Sequence, residues 1–496
     1  MALPSSTGDS LLERFYIHPS LETEKSLFDE FCRIDQAHLA MLVRQGIIPI
    51  EKGSKLATQL RKIRNGGIEG LNIDPSKGSL LFQIEATIAH ELSWDIAGIL
   101  HTARSRIDQR ATARRLAARS KVLQVMQEII NFQEIMIAFS EKHLATLFPY
   151  YTHMQQAQPG SIGHYFLAFV NRFQDDFEDC QQSFAKVNLN PLGTAGRCGT
   201  SWPIDRNLTS TLLGFDGLID NSMLGRDPDY AIRVLNCLSM IMSHLYDFAT
   251  DLHIWSTQEF NYIALHDSHT GISSIFPNKK NPVLLETIRS EAGAASMWVP
   301  AAYTTCRGEG TGDHNIHNVP HLVPALDVTS NMLELAGGSL KALKVNISHI
   351  EEVLSSGWTT TSNLADKLVQ DKKNSLNFRQ AHHIVQTLIA MCKAEGIDRE
   401  AISPEDLSRA SLATLGTQAI AMGARDLKSA VDPRRFVESC VSTGGVAPPE
   451  VNRMLAYAKK KLEENWVWLI STQERLVSGN SALDNEIEKI CGHDLW

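Results

Sequence analysis

Four short segments concentrate the residue types that move protons and hold anions. The run from Thr270 to Pro282 brings Ser273 and Ser274 together with Lys279, Lys280 and Asn281. Lysine supplies charge and asparagine supplies oriented donors, so such a run can hold a dianion. A serine beside those cations can serve as a base. The second segment joins Thr152 and His153 with Gln155 and, farther on, His164. A histidine beside a threonine can pass a proton while the hydroxyl helps orient a ligand. The third, His101 to Arg110, offers Ser105 with Arg104, Arg106 and Arg110, whose forked guanidiniums suit carboxylates. The fourth, Arg307 to His321, contains His314, His317 and His321, a spacing that invites a metal. Pro320 disrupts the helix that would align the last two, and no glutamate of a His-Glu-x-x-His motif follows the first, so no metal is expected. Taken singly, the first three segments also fit a solvated loop, a core histidine and a basic helix face.

Long helices must position these segments. From Val122 to Phe139 apolar residues recur at helical spacing over more than four turns. Tyr230 to Phe260 contains neither glycine nor proline and is apolar nearly all round, so it must be buried by neighbouring helices or other subunits. A third helix is expected over 328–354, with a kink at Gly337-Gly338. Three stretches rich in glycine and proline interrupt the helices, at 188–203, 266–282 and 307–320, and loops on rigid helices commonly carry binding groups. Alternating, strand-like segments are almost absent, so the chain reads as mainly α. Breaks near 110 and 362 divide it into an N-terminal helical domain (1–110), a central long-helix bundle (111–362) and a C-terminal helical domain (363–496).

Composition narrows the function. With 496 residues the chain exceeds the size of a single core, and 47 Lys plus Arg against 56 Asp plus Glu leaves no basic footprint for nucleic acid. No apolar run reaches the roughly 20 residues of a membrane helix, and the first residues lack a secretory pattern. The eight cysteines are dispersed, without a C-x-x-C pair. A soluble, cytoplasmic, multidomain protein is expected.

In order along the chain, HTARSRIDQ, THMQQAQP, GTAGRCGTSWPIDRNLTSTLLGFDG, ISSIFPNKKNP, TSNLADKLVQ and NFRQAHHIV resemble the motifs of the fumarase/aspartase superfamily, and within it those of argininosuccinate lyases. The resemblance implies a three-domain fold whose long helices form the core of a homotetramer, with each active site shared among subunits. It implies no metal or organic cofactor. The implied reaction is reversible β-elimination of an amine from an N-substituted aspartate to give fumarate. Carried over by position, Ser273 is the general base, and Lys279 and Asn281 hold the carboxylate that takes up charge. His153 assists proton transfer with Glu286 orienting it. Thr152, Ser105 and Arg106 position the succinyl carboxylates, and Ser274 and Gln155 complete the substrate contacts.

Departures from the family pattern gather on the amine side. Ile107 stands where the family has asparagine, and Thr311, Ile316 and Val319 stand where a Tyr, a Gln and a Lys recognise arginine. Gln83-Ile84-Glu85 lacks the family histidine, Asp35 aligns with a serine, and Ile272 replaces a loop glycine beside Gly271. A site built around hydrogen bonds discriminates strongly against ligands that cannot make them, so loss of these groups points to an amine other than arginine. Asp35 or Glu85 is then a candidate partner for a cationic amine. The alternatives are argininosuccinate lyase itself and a non-catalytic homologue; retention of the proton-transfer groups speaks against the latter.

Overall fold

A computed structural model describes residues 11–306, 319, 321–416, 420 and 422–492. An N-terminal layer comprises α1 (His18–Lys25), α2 (Phe28–Arg44), α3 (Ile50–Gly66), α4 (Leu80–Glu91) and the short α5 (Trp94–Ala97). The central bundle follows: α6 (Arg106–Lys142), a hairpin of β1 (Leu147–Thr152) and β2 (Gln155–Ser161), and α7 (Ile162–Val187). Beyond β3 (Leu189–Asn190), α8 (Arg206–Leu212) and β4 (Gly217–Leu218) come α9 (Asp229–Trp255) and β5 (Ile263–Ala264). β6 (Gly271–Ile272) and β7 (Lys280–Asn281) frame the serine loop, and α10 (Val283–Ala295), α11 (Trp298–Thr305), α12 (Leu322–Lys341) and β8 (Lys344–Val345) complete the bundle. The rest comprises α13 (Ile347–Ser356), α14 (Thr361–Gln370), α15 (Phe378–Glu395), α16 (Pro404–Leu415), α17 (Ala424–Val431), α18 (Pro433–Ser439) and the 45-residue α19 (Pro448–Gly492).

Strands occur among the described residues only as four two-stranded pairs, so the fold is mainly α. The bundle core is aromatic: Phe132 of α6 meets Phe173 of α7 and Phe248 of α9 edge to face, at 5.0 and 5.2 Å between centroids. Each such buried ring contributes roughly 1.5–3 kcal/mol through removal from water. The apolar side chains form three clusters, around α6, α7, α9 and α12, around α2 to α4, and around α14 to α17. Helix α19 ties the first two together: Val451, Leu455 and Leu469 enter the bundle core, and Leu483, Ile487 and Ile490 enter the N-terminal cluster.

Two helices differ from their sequence pattern. The expected helix over 328–354 is two helices, α12 and α13, separated at Ala342 to Asn346 by β8. Gly337 and Gly338 lie inside an unbroken α12. A Cβ at Gly337 would come 3.0 Å from Ile135 of α6, so glycine there permits close helix approach. Helix α9 ends at Trp255 rather than Phe260, because the Tyr262 N–H returns to the Trp255 carbonyl at 3.0 Å and Asn261 adopts φ +47°. Among the described residues, no helix is long and apolar enough to cross a membrane.

Candidate active site

The first cluster sits at the N-terminus of α6. Ser105 caps the helix: its Oγ accepts the Ile107 N–H at 3.2 Å, while Asp108 Oδ1 accepts the Ser105 N–H at 2.9 Å. This reciprocal pairing is a capping box and satisfies otherwise orphaned backbone donors. The buried Asp108 also accepts the N–H groups of Gly193 (2.9 Å) and Ala195 (3.0 Å) through Oδ2. It thereby ties the glycine-rich segment to the helix start. Gly193 takes φ +86°, a left-handed conformation that favours glycine. Arg106 is the first helical residue, so it and Ser105 present their side chains where the helix dipole favours anions.

The three arginines of this segment diverge. Arg104 turns inward and is fully buried, with Nη1 2.6 Å from Asp35 Oδ1; that carboxylate also accepts from Gln109 Nε2 at 2.8 Å. Asp35 is therefore spent on holding Arg104 and is no partner for a substrate amine. Arg110 pairs with Glu24. Beside Arg104, Glu85 Oε1 lies 3.6 Å from His101 Nδ1. Burial pushes Glu85 up to about 7 against the pull of Arg104, and burial together with Arg104 pushes His101 down to about 4. Glu85, expected as a candidate partner for a cationic amine, is half-buried beside the His101 imidazole, a neighbour that the sequence reading did not foresee.

The second cluster occupies the tip of the β1–β2 hairpin. Thr152 and Gln155 face each other across a two-residue turn, His153-Met154, in which both residues have positive φ (54° and 58°). This is the type I′ geometry whose twist matches antiparallel strands, made here without the usual Asn-Gly. It projects His153 outward, exposed like Thr152 and Gln155.

The third cluster is the loop between β6 and β7, where Gly271 pairs with Asn281 and Ile272 with Lys280. Ser273 Oγ accepts the N–H groups of Phe276 (3.0 Å) and Ile275 (3.4 Å). Donors aimed at a hydroxyl oxygen favour its ionised form, as a serine base requires. Ser274 and Lys279 are exposed, Ile272 is 97 % exposed, and Glu286 projects from the first turn of α10.

The clusters lie at opposite ends of the bundle. Helix α6 has 37 residues, so at 1.5 Å per residue its ends are about 55 Å apart. Ser105 and Arg106 begin it; the hairpin bearing Thr152 and His153 follows its far end. The serine loop is on the hairpin side, since Phe148 packs on Trp255 at the end of α9 (4.6 Å) and Tyr151 bonds Tyr262. Among the described residues no hydrogen bond or ion pair joins Ser273, His153, Lys279 or Glu286 to one another or to Ser105 and Arg106.

Beside the α6 start, a cavity of about 70 Å³ runs between α6, the beginning of α9 and the beginning of α12. Ile107 and Val319, two of the departures on the amine side, both line it. Thr311 and Ile316, like His314 and His317, lie outside the described residues. The cavity is also lined by Arg110, which with Ile107 and Arg114 shares one face of α6, and by Arg114, Arg115 and Arg226, which the sequence reading left unassigned.

Comparison with known proteins places the chain. Residues 8–296 match the lyase family model, and residues 358–438 match the model of the argininosuccinate lyase C-terminal domain. The argininosuccinate lyase of Methanococcus maripaludis is 32% identical over 446 residues, covering 89% of this chain and 91% of the relative. That of Methanosphaera stadtmanae is 33% identical over 436 residues, covering 87% and 93%. Among solved structures, EDDS lyase in complex with formate superposes with a TM-score of 0.88 at 27% identity, over 99% of this chain and 97% of that one. The chain thus belongs to the fumarase/aspartase superfamily, on its argininosuccinate lyase branch, and is a carbon–nitrogen lyase that forms fumarate.

Proposed function

We propose that the enzyme catalyses reversible β-elimination of an amine other than arginine from an N-substituted aspartate, or the reverse addition to fumarate. In the forward direction Ser273, ionised with the help of the Ile275 and Phe276 amides, removes a proton from the carbon beside a carboxylate. Lys279 and Asn281 hold that carboxylate while it takes up charge, an electrostatic contribution of a few kcal/mol in such sites. The C–N bond then breaks, its electron pair leaves with the amine, and the double bond of fumarate forms. His153, oriented by Glu286, delivers the proton to the departing nitrogen. Ser105, Arg106 and Thr152 fix the succinyl carboxylates, and Ser274 and Gln155 supply further contacts.

No single chain can bring these groups together across a bundle about 55 Å long, so we assign the working form to a homotetramer in which each site draws on several copies. The division into 1–110, 111–362 and 363–496 belongs to the same proposal, as does a cytoplasmic location. All eight cysteines are free thiols, which suits a reducing compartment.

The observation that carries an amine other than arginine is that Ile107 and Val319, apolar where the family is polar, wall one cavity. The names of the relatives favour the second reading, argininosuccinate lyase itself. Incubation with fumarate and a panel of amines, and separately with argininosuccinate, decides between them by mass spectrometry, with Ser273→Ala as the blank. A new N-substituted aspartate that is missing from the blank supports the proposal. Fumarate released from argininosuccinate alone supports the second reading, and silence in every reaction contradicts both.

A further inference from the structure

The segment that leads into α6 contains a turn that its own residues do not favour. Thr102 has φ −56° and ψ 132°, Ala103 has φ +66°, and the Arg104 N–H returns to the His101 carbonyl at 3.5 Å. These are the marks of a type II turn over residues 101–104, whose third position needs positive φ and is normally filled by glycine or asparagine. Alanine stands there instead, and its Cβ disfavours the left-handed conformation. A type I turn would span the same ends without that cost. The two turns differ by a flip of their central peptide, the one that carries the Thr102 carbonyl.

Helix α2 holds that carbonyl. His38, buried on α2, has Nε2 2.8 Å from the Thr102 oxygen. A carbonyl only accepts, so Nε2 carries the hydrogen; burial and the nearby Arg104 charge hold the imidazole well below its usual pKa, hence neutral. Flipping the Thr102 peptide would take this acceptor away and leave a buried N–H unpaired, which opposes the relaxation to type I. One turn earlier on α2, Asp35 grips the residue that follows the turn, Arg104, at 2.6 Å and Gln109 of α6 at 2.8 Å. The half-buried Ser105 and Arg106 lie between these two points of attachment.

Resting on the function proposed above, in which Ser105 and Arg106 hold the succinyl carboxylates, we infer that His38 is a positioning residue for the fumarate-forming reaction. It selects the type II turn through the Thr102 carbonyl and thereby sets Ser105 and Arg106 for a dicarboxylate. Asp35 supports the same geometry from the far side of the turn. A flipped peptide re-aims the chain entering Ser105, and a displacement of about 1 Å is enough to damage contacts of this kind. His38 itself is buried and acts only through the backbone it holds.

The test reads fumarate binding to the full-length enzyme by calorimetry, with no amine present. His38→Leu keeps an apolar volume but removes the N–H, and is expected to weaken fumarate about tenfold. Adding Ala103→Gly lifts the penalty on the left-handed conformation and should bring the affinity back to within about threefold of wild type; Ala103→Gly alone should leave it unchanged. A role confined to packing predicts the loss without the rescue. Affinity within about twofold of wild type in His38→Leu, or a loss that glycine does not recover, overturns the inference. Where His38→Leu does not fold, Ala103→Val puts the question to the turn itself. Its branched side chain adds to the penalty, so fumarate should again weaken about tenfold, and unchanged affinity overturns the inference. Ser105→Ala and Arg106→Met separate this inference from the function proposed above. If both leave fumarate binding intact, the carboxylate assignment in that proposal fails whatever His38 does. If either weakens it while His38→Leu does not, only the inference about His38 falls.

Discussion

The two ends of the central bundle are built differently. At the α6 start the polar groups are interior and already committed: Asp35 holds Arg104, Asp108 holds both the helix cap and the 193–195 loop, and Glu24 holds Arg110. At the far end the groups assigned to the chemistry project from a hairpin tip and a loop, with few partners beyond their own segment. In the proposed function the first holds the substrate carboxylates, and its polar groups are organised within one chain. The second is a set of exposed groups on a hairpin tip and a loop, the kind of element that in enzymes often closes over substrate. In the proposed function, binding and chemistry lie at opposite ends of one helix, and assembly of copies brings them together.

Removing the base probes the exposed end most severely. Ser273→Ala should lower kcat by about 10²–10⁴-fold while leaving substrate affinity within a few-fold, measured by fumarate absorbance and by calorimetry. A large loss of affinity with kcat preserved would mean that Ser273 is a binding group.

The buried end should respond in stability. Asp108→Ala removes acceptors from three backbone N–H groups, two of them on a tethered loop, and should cost about 3 kcal/mol in urea unfolding. A cost below about 1 kcal/mol would mean that the α6 start is not organised through this residue.

Glu85 sharpens the same contrast through pH. Its folded value near 7 lies above its ordinary 4.5, so the folded protein holds a proton that the unfolded chain releases. The resulting destabilisation is absent below about pH 4.5 and grows until about pH 7. His101, depressed from 6.5 to about 4, acts in the opposite sense: its cost appears as pH falls through that window. Glu85→Gln should therefore raise Tm more at pH 8 than at pH 5, and an equal rise at both would contradict the assignment.

The smallest effect belongs to the hairpin. Met154 takes φ +58°, a conformation glycine adopts at little cost, so Met154→Gly should stabilise the protein by about 0.5–1 kcal/mol in thermal unfolding. Destabilisation would show that the Met154 side chain contributes contacts outweighing the backbone strain.

Legibility followed the range of the forces. The course of α6 and α9 was plain because apolar periodicity over many turns reports a buried face directly, and the motif order announced the superfamily. The ends of helices were less plain. Trp255 ends α9 through a backbone bond from Tyr262, a tertiary return that local propensity does not encode. Gly337-Gly338 suggested a kink, yet the helix passes through because Ile135 of α6 needs the space. At the site, Asp35 appeared free to meet a substrate, whereas burial beside Arg104 commits it internally. The His153-Met154 turn carries no Asn-Gly signal, so the hairpin that presents His153 was not foreseen.

The central claim is that one working site combines the α6 start of one copy with the hairpin and serine loop of others. Two inactive variants test it: Ser273→Ala at one end of the bundle and Arg106→Met at the other. Each should fold, assemble and remain almost inactive alone. After the two are unfolded together and refolded as mixed assemblies, fumarate formation should return, because some sites then receive an intact Arg106 and an intact Ser273 from different copies. Mixed assemblies, verified by mass, that stay as inactive as either parent would contradict it.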